Sequence, residues 1–464
     1  MRQTKFALAL IAAAVLSGCG SGSGSTGGDQ TLRFKYSAQV SFGDSLSDVG
    51  TYAVGTVKAL GGGKWTINGD NTATNPALTG LNWTELMAKQ LGLPAPCPAQ
   101  TGLIGAAAQG FSVPVVNNKG CFGYAQGGSR VTNPNGSGFG SALGPLTVPV
   151  STQIQNHLAA VGGRFKGDEL VLVLAGPNDI LVGLNDLSAG ATAAGQAAGA
   201  AAGAQTFGST LVGLLARTAT NPATAAQAIG LALATESARP GSTSTTVVGA
   251  AVAAAAVQPG NSAVGSPAVF GPLVAQAQAA ATTAGNTAGA QAGAAFAAAN
   301  GPKLVPVLIT AATELVTLVK TQIVAKGATR VVVNNIPDVA TTPSGRANDP
   351  ATIALIDALV NAFNSTLAAG LANEPNVLLV DLYTVSRDQA TNPAPYGLTN
   401  VKDTACDLSP ARNPLSSSLT CTGRNLIPGD VSHYSFADGV HPTPFTYLLL
   451  ARFVSERMLV RGWL

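Results

Sequence analysis

Charge is scarce in this chain. Asp, Glu, Lys and Arg make up 10% of its 464 residues, and 25 basic against 22 acidic residues leave a formal charge of +3. No basic run and no basic patch interleaved with aromatics occurs, which sets nucleic acid aside as a partner. Aromatic residues amount to 5%, so stacking platforms for sugars are few. Histidine occurs only at His157, His433 and His441. No His/Cys cluster has metal-ligand spacing, and neither a metal nor another cofactor is expected. The G-x-S-x-G elbow of α/β-hydrolases is missing. What remains is an ordinary apolar fraction of 46%, enough for the core of one large or two ordinary domains, and an excess of Ala and Gly.

The N-terminal residues read as an export signal. Met1 to Lys5 form a short basic region, and Phe6 to Leu16 are 11 unbroken apolar residues. A bilayer span needs about 20, so this length fits a signal peptide over residues 1–18 instead. Leu16-Ser17-Gly18-Cys19 looks like a bacterial lipobox, with Cys19 as the lipidated N-terminus of the mature chain. Gly after Cys19 resembles outer-membrane sorting. Residues 19–36 then form the anchor and a flexible tether, whose Gly/Ser run reaches roughly 15–20 Å. The expected location is therefore a lipid anchor at the outer membrane.

Four cysteines remain, Cys97, Cys121, Cys406 and Cys421. They allow three pairings. Cys97–Cys121 and Cys406–Cys421 are the expected ones because each closes a short loop; four buried thiols are the alternative.

Residues 37–464 read as alternating strands and helices. Ser37 to Phe42, the segment at Tyr124, Glu169 to Ala175, Thr329 to Asn334 and Asn376 to Leu382 are the strand candidates. The last three are near-continuous apolar runs, as in strands buried on both faces. Helical patterns cover Asn82 to Leu91, Leu304 to Val324 and Ala351 to Leu371. The alternation predicts an α/β fold with a mostly parallel sheet. Residues 190–300 stand apart: Ala is roughly a third of them, and only Arg217, Glu236 and Arg239 are charged. They read as an inserted set of helices between the third and fourth strands, either a lid over the site or a surface appendage. Pro222, Pro240, Pro259, Pro267 and Pro272 are expected to break or start its segments.

Four short motifs carry the chemistry. Gly43-Asp44-Ser45-Leu46 follows the first strand, where a serine can present its hydroxyl at the top of the sheet; alone it is equally a polar turn. Gly127-Gly128 can point a backbone N–H into a site, or simply turn. Gly176-Pro177-Asn178-Asp179 ends a strand, and the Asn178 amide offers two N–H donors; an Asx turn is the alternative. Asp438-Gly-Val-His441-Pro-Thr-Pro444 supplies a base of the kind that activates serine, with Asp438 able to turn back onto the ring. Pro442 holds His441 extended. Thr443 and Pro444 start a helix running to about Met458. His157 reads as a solvated helix position, and His433 as a rival base that is set aside.

In this order the four motifs resemble the GDSL (SGNH) lipases and esterases, whose four invariant residue types fall on Ser45, Gly128, Asn178 and His441. Trp83-Thr-Glu-Leu86, Asn335-Ile-Pro-Asp338 and Tyr396-Gly-Leu-Thr-Asn400 also look like family sequence. The resemblance implies a three-layer α/β/α sandwich, flavodoxin-like, around about five parallel strands. It implies Ser45 as nucleophile, His441 as base and Asp438 as its partner. The Ser45 and Gly128 N–H groups and the Asn178 amide would form the oxyanion hole. A small-molecule or lipid ester would be the substrate. Two other readings stay open: a polysaccharide O-deacetylase or acyltransferase using the same residues, and a lipid-tethered binding module without catalysis.

Overall fold

The computed structural model describes residues 33–69 and 80–464. The expected signal peptide, the lipidated Cys19 and most of the tether lie outside the described residues. The strands are β1 (Gln39–Gly43), β2 (Gln100–Ile104), β3 (Ser112–Asn117), β4 (Leu170–Leu174), β5 (Val331–Asn334), β6 (Val377–Val380), β7 (Asn400–Thr404) and β8 (Tyr434–Phe436). The α-helices are α1 (Gly55–Ala59), α2 (Trp83–Gln90), α3 (Val150–Ala160), α4 (Pro177–Ala216), α5 (Pro222–Ser237), α6 (Ser244–Ala256), α7 (Pro267–Asn300), α8 (Leu304–Leu318), α9 (Pro343–Arg346), α10 (Pro350–Leu371), α11 (Leu382–Thr391) and α12 (Pro444–Val460).

The fold is mixed α/β around a parallel sheet of order β1-β4-β5-β6. Strand side chains alternate between faces, and each set meets its own helices. Val40, Phe42, Val171, Val173, Val331 and Val333 pack with Ile154 of α3, Leu308 of α8 and Phe363 of α10. Leu170, Leu172, Leu174 and Val332 pack on the opposite face with Trp83 and Met87 of α2 and Tyr447 and Val454 of α12. Helix starts are set locally. Asn82 accepts from the Thr84 and Glu85 N–H groups in a capping box at α2, and Asp349 caps α10 ahead of Pro350.

The sheet has four strands rather than about five. The segment at Tyr124 lies beside β1 and bonds to it as a parallel strand would, but the ladder is cut short because Gly43 N–H donates to Gln153 Oε1 (2.9 Å). Ser41 N–H donates to Phe122 O (3.0 Å), Tyr124 N–H to Ser41 O (2.8 Å) and Gln126 N–H to Gly43 O (3.2 Å). Gly123 forms the parallel bridge opposite Ser41.

The Ala-rich segment folds into helices, and its first helix begins inside a chemical motif. α4 starts at Pro177 and runs 40 residues, about 60 Å at 1.5 Å per residue. It packs antiparallel along α7, with backbones so close that a Cβ on Gly199 would lie 2.8 Å from Gly285 O. A separate core of Leu211, Leu215, Ile229 and Val252 closes the far end with α5 and α6. Pro222 and Pro267 start helices as expected, but Pro272 lies within α7. It forfeits the bond to Ala268 O near the helix start, a loss that a 34-residue helix sustains.

His157 is not solvated. Its ring is buried among Phe42, Phe122, Tyr124 and Phe165, at centroid distances of 5.7, 5.5, 5.3 and 4.7 Å. Neither ring nitrogen has a partner among the described residues. Burial lowers its pKa from 6.5 to about 4. The unfolded chain therefore binds the extra proton first. The stability tied to neutral His157 is complete above pH 6.5 and is lost as the pH falls toward 4. We expect His157→Leu to flatten the acid limb of the stability curve. Between pH 7 and pH 4 the wild type should lose about 3 kcal/mol more than the variant, at about 1.4 kcal/mol per pKa unit. Chemical denaturation across that range checks this; parallel curves would contradict it.

Candidate functional site

Ser45 lies in the turn directly after β1, and its parallel neighbour β4 leads through Gly176 into Asn178 at the start of α4. Residues 122–126, on the other side of β1, lead into Gly127-Gly128. Three connections thus leave the same end of the sheet, where ligands bind in parallel α/β folds. His441 reaches them from the loop before α12. There Thr443 caps the helix by accepting from Thr446 N–H, and Ala437 N–H donates to His441 O (2.8 Å).

His441 Nε2 is 2.9 Å from Ser45 Oγ, and its Nδ1 is 2.8 and 2.9 Å from the two carboxylate oxygens of Asp438. All three residues are buried. Asp438 also accepts from the N–H groups of His441 (2.8 Å), Val440 (3.0 Å) and Ser418 (2.9 Å). Burial alone would raise this carboxyl, but the His441 ring, Ser418 and the Val440 N–H outweigh it and hold it well below the usual carboxylate range. An ionised carboxylate only accepts, so the ring proton sits on Nδ1 and the Nε2 lone pair faces the serine hydroxyl.

Ser45, Gly128, Asn178 and His441 line one cavity of about 180 Å³ with Trp65 and Leu181. Among the described residues, the N–H groups of Ser45 and Gly128 have no acceptor. Asn178 Nδ2 donates one hydrogen to Ser129 O (3.0 Å), which leaves its second free. Asp179 ties the two motifs together: it accepts from Arg130 Nε (2.9 Å) and Val131 N–H (3.1 Å). Asp48 accepts from Gly127 N–H (2.9 Å), and Ser137 N–H donates to Gly128 O (2.8 Å). Gly128 has φ +84°, and a Cβ there would lie 2.3 Å from Ser137 O, so glycine is required.

The expected triad and oxyanion-hole residues therefore converge, and no residue of 190–300 lines the cavity; α4 contributes Pro177, Asn178 and Leu181. His433 also follows an aspartate, Asp430, by three positions, so spacing does not separate it from His441. Its surroundings do: Nδ1 bonds Gly397 O (2.8 Å), and the ring stacks on Phe445 at 4.2 Å. One site residue, Trp65, escaped the sequence reading. Trp65 packs on the His441 ring at 4.8 Å, in a loop pinned to the histidine loop by Thr66 Oγ1 donating to Pro442 O (2.9 Å). A tryptophan in a Gly-rich loop of an aromatic-poor chain was the available signal. Asp44 is buried, and burial pushes its carboxyl up to about 7 despite the Leu46 N–H and His441.

The disulfides are Cys97–Cys121 and Cys406–Cys421. Bridges of this kind persist in oxidising, exported environments. The second closes the loop that carries Ser418, and with it the N–H on Asp438. Removing it with Cys406→Ser/Cys421→Ser should lower the unfolding free energy by about 2–4 kcal/mol, read from urea midpoints; an unchanged midpoint would count against that role.

Compared with known protein families and with curated proteins, the chain matches no family model and no curated sequence.

Proposed function

We propose that the protein is a serine ester hydrolase of the GDSL (SGNH) kind that cleaves carboxylic esters through an acyl-serine. One observation carries this reading: the bonded chain Ser45–His441–Asp438 shares a cavity with donors from Ser45, Gly128 and Asn178. The topology is in keeping with it. With residues 122–126 counted as a second strand, the spatial order becomes 2-1-3-4-5, the flavodoxin-like order. Helices on both faces fit the family's three-layer α/β/α sandwich.

In this mechanism Ser45 Oγ attacks the ester carbonyl carbon while His441 Nε2 takes its proton. Asp438 stays ionised, keeps the ring oriented and stabilises the imidazolium. The carbonyl oxygen, now negative, is held by the Ser45 and Gly128 N–H groups and the free Asn178 hydrogen. The carbon–oxygen bond to the alcohol breaks, and His441 returns the proton to the leaving oxygen. Water then enters and gives its proton to His441, and its oxygen attacks the acyl carbon. Ser45 Oγ leaves with the proton as the acid is released.

Leu46, Leu181, Val339 and Val440 make much of the cavity wall apolar, which favours small or lipid esters over sugars. The disulfides suit an exported protein. Together with the lipobox at Cys19 they support a lipid-anchored enzyme at the outer membrane.

On a p-nitrophenyl ester, Ser45→Ala should lower turnover by about 10⁶ and Asn178→Ala by about 10²–10³, with little change in melting temperature. Wild-type hydrolysis by Ser45→Ala would overturn the assignment.

A further inference from the structure

A second cavity, of about 100 Å³, lies directly behind the catalytic one. The two share Leu46, Pro337, Thr342 and Val440 as walls. Leu46 follows Ser45 in the chain, so the space behind it begins next to the atom that would carry an acyl group. The second cavity continues away from the site between α11, β7 and α12, along Leu382, Val385, Ala390, Val401, Leu450 and Phe453.

Three hydroxyls of its lining are satisfied within the protein. The hydroxyls of Thr341, Thr342 and Ser386 donate to the backbone carbonyls of Asp338, Val339 and Tyr383 (3.1, 2.8 and 3.2 Å). Asp338 in the wall is buried, with no hydrogen-bond partner on either carboxylate oxygen among the described residues, and Arg387 Nε lies 3.7 Å from one of them. The rest of the lining is mainly hydrocarbon, interrupted by Gln389, Ser435 and Thr446.

We propose that this cavity takes the aliphatic acyl chain of the ester, with Leu46 and Val440 at its entrance, so that the enzyme prefers medium-length straight acyl chains. The proposal rests on the hydrolase reading above. The acyl chain fits this space better than the alcohol for a kinetic reason. The acyl group stays bonded to Ser45 through both halves of the reaction, whereas the alcohol must leave and be replaced by water. A walled apolar space beside the nucleophile suits the part that stays. Burying successive methylenes there lowers the barrier, and each is worth about 10–200-fold in discrimination.

The test uses the full mature chain with p-nitrophenyl acetate, butyrate and octanoate, read as ratios of kcat/KM. Ala390→Phe fills the far end, and Phe453→Ala enlarges it. The octanoate-to-acetate ratio should fall at least tenfold in the first and rise, or shift to longer chains, in the second. The same variants should leave the dependence on alcohol length, measured with a series of alkyl acetates, as in the wild type. If Ala390→Phe does not fold, the opposite shift in Phe453→Ala still decides the matter. Folded variants with unaltered acyl ratios, or with a changed dependence on the alcohol instead, overturn the proposal and leave the hydrolase standing. A wild type that hydrolyses none of the esters overturns both.

Discussion

The parallel pairing of β1 with β4 is the constraint on which the site depends. With Gly43 opposite Leu174, the residues that follow each strand emerge side by side, and Ser45 and Asn178 become neighbours although more than a hundred positions separate them. The segment 122–126 adds Gly128 on the other side by bonding to β1. A slip of one residue in either pairing would turn the buried Val and Leu sets to the wrong faces. The same hydrophobic alternation that stabilises the sheet therefore also fixes the donors around the serine.

The imidazole comes from elsewhere and is held by different means. α12 packs through Tyr447 and Val454 on one face of the sheet, and its N-terminus sets the height of the loop carrying His441. Asp438 is bound by three backbone N–H groups besides the ring. Those bonds keep a buried carboxylate ionised, a state that burial alone would oppose. Trp65 and the Cys406–Cys421 loop brace the arrangement from outside. Rigidity here has a chemical purpose, because a base that transfers a proton twice must keep one angle throughout.

Much of this was legible in the residues themselves. β4 is a run of Leu and Val with all five side chains buried, and such runs announce a central strand. The capped starts of α2 and α12 follow from Asn82 with Glu85 and from Thr443-Pro444. The four motifs brought the right side chains to notice, and short loop spacing indicated both disulfides. What stayed hidden depends on contacts between distant segments. The aromatic shell around His157 is assembled from β1, the 122–124 segment and the stretch before β4, so its helix pattern alone reads as solvated. Trp65 gains its place only when its loop meets residue 442. The continuity of α4 from Asn178 into the Ala-rich arm was obscured because composition changes there while the helix does not. The segment at Tyr124 stays short of a full strand because a distant side chain, Gln153, takes the Gly43 N–H that would extend its ladder.

The central claim is that Ser45 is a nucleophile activated by His441, and covalent labelling tests it most directly. The mature protein would be treated with a fluorophosphonate, digested and mapped by mass spectrometry. A single adduct on the peptide containing Ser45, lost in His441→Ala, is the expected result. An adduct on another residue, or an unmodified Ser45 in the folded wild type, would contradict it.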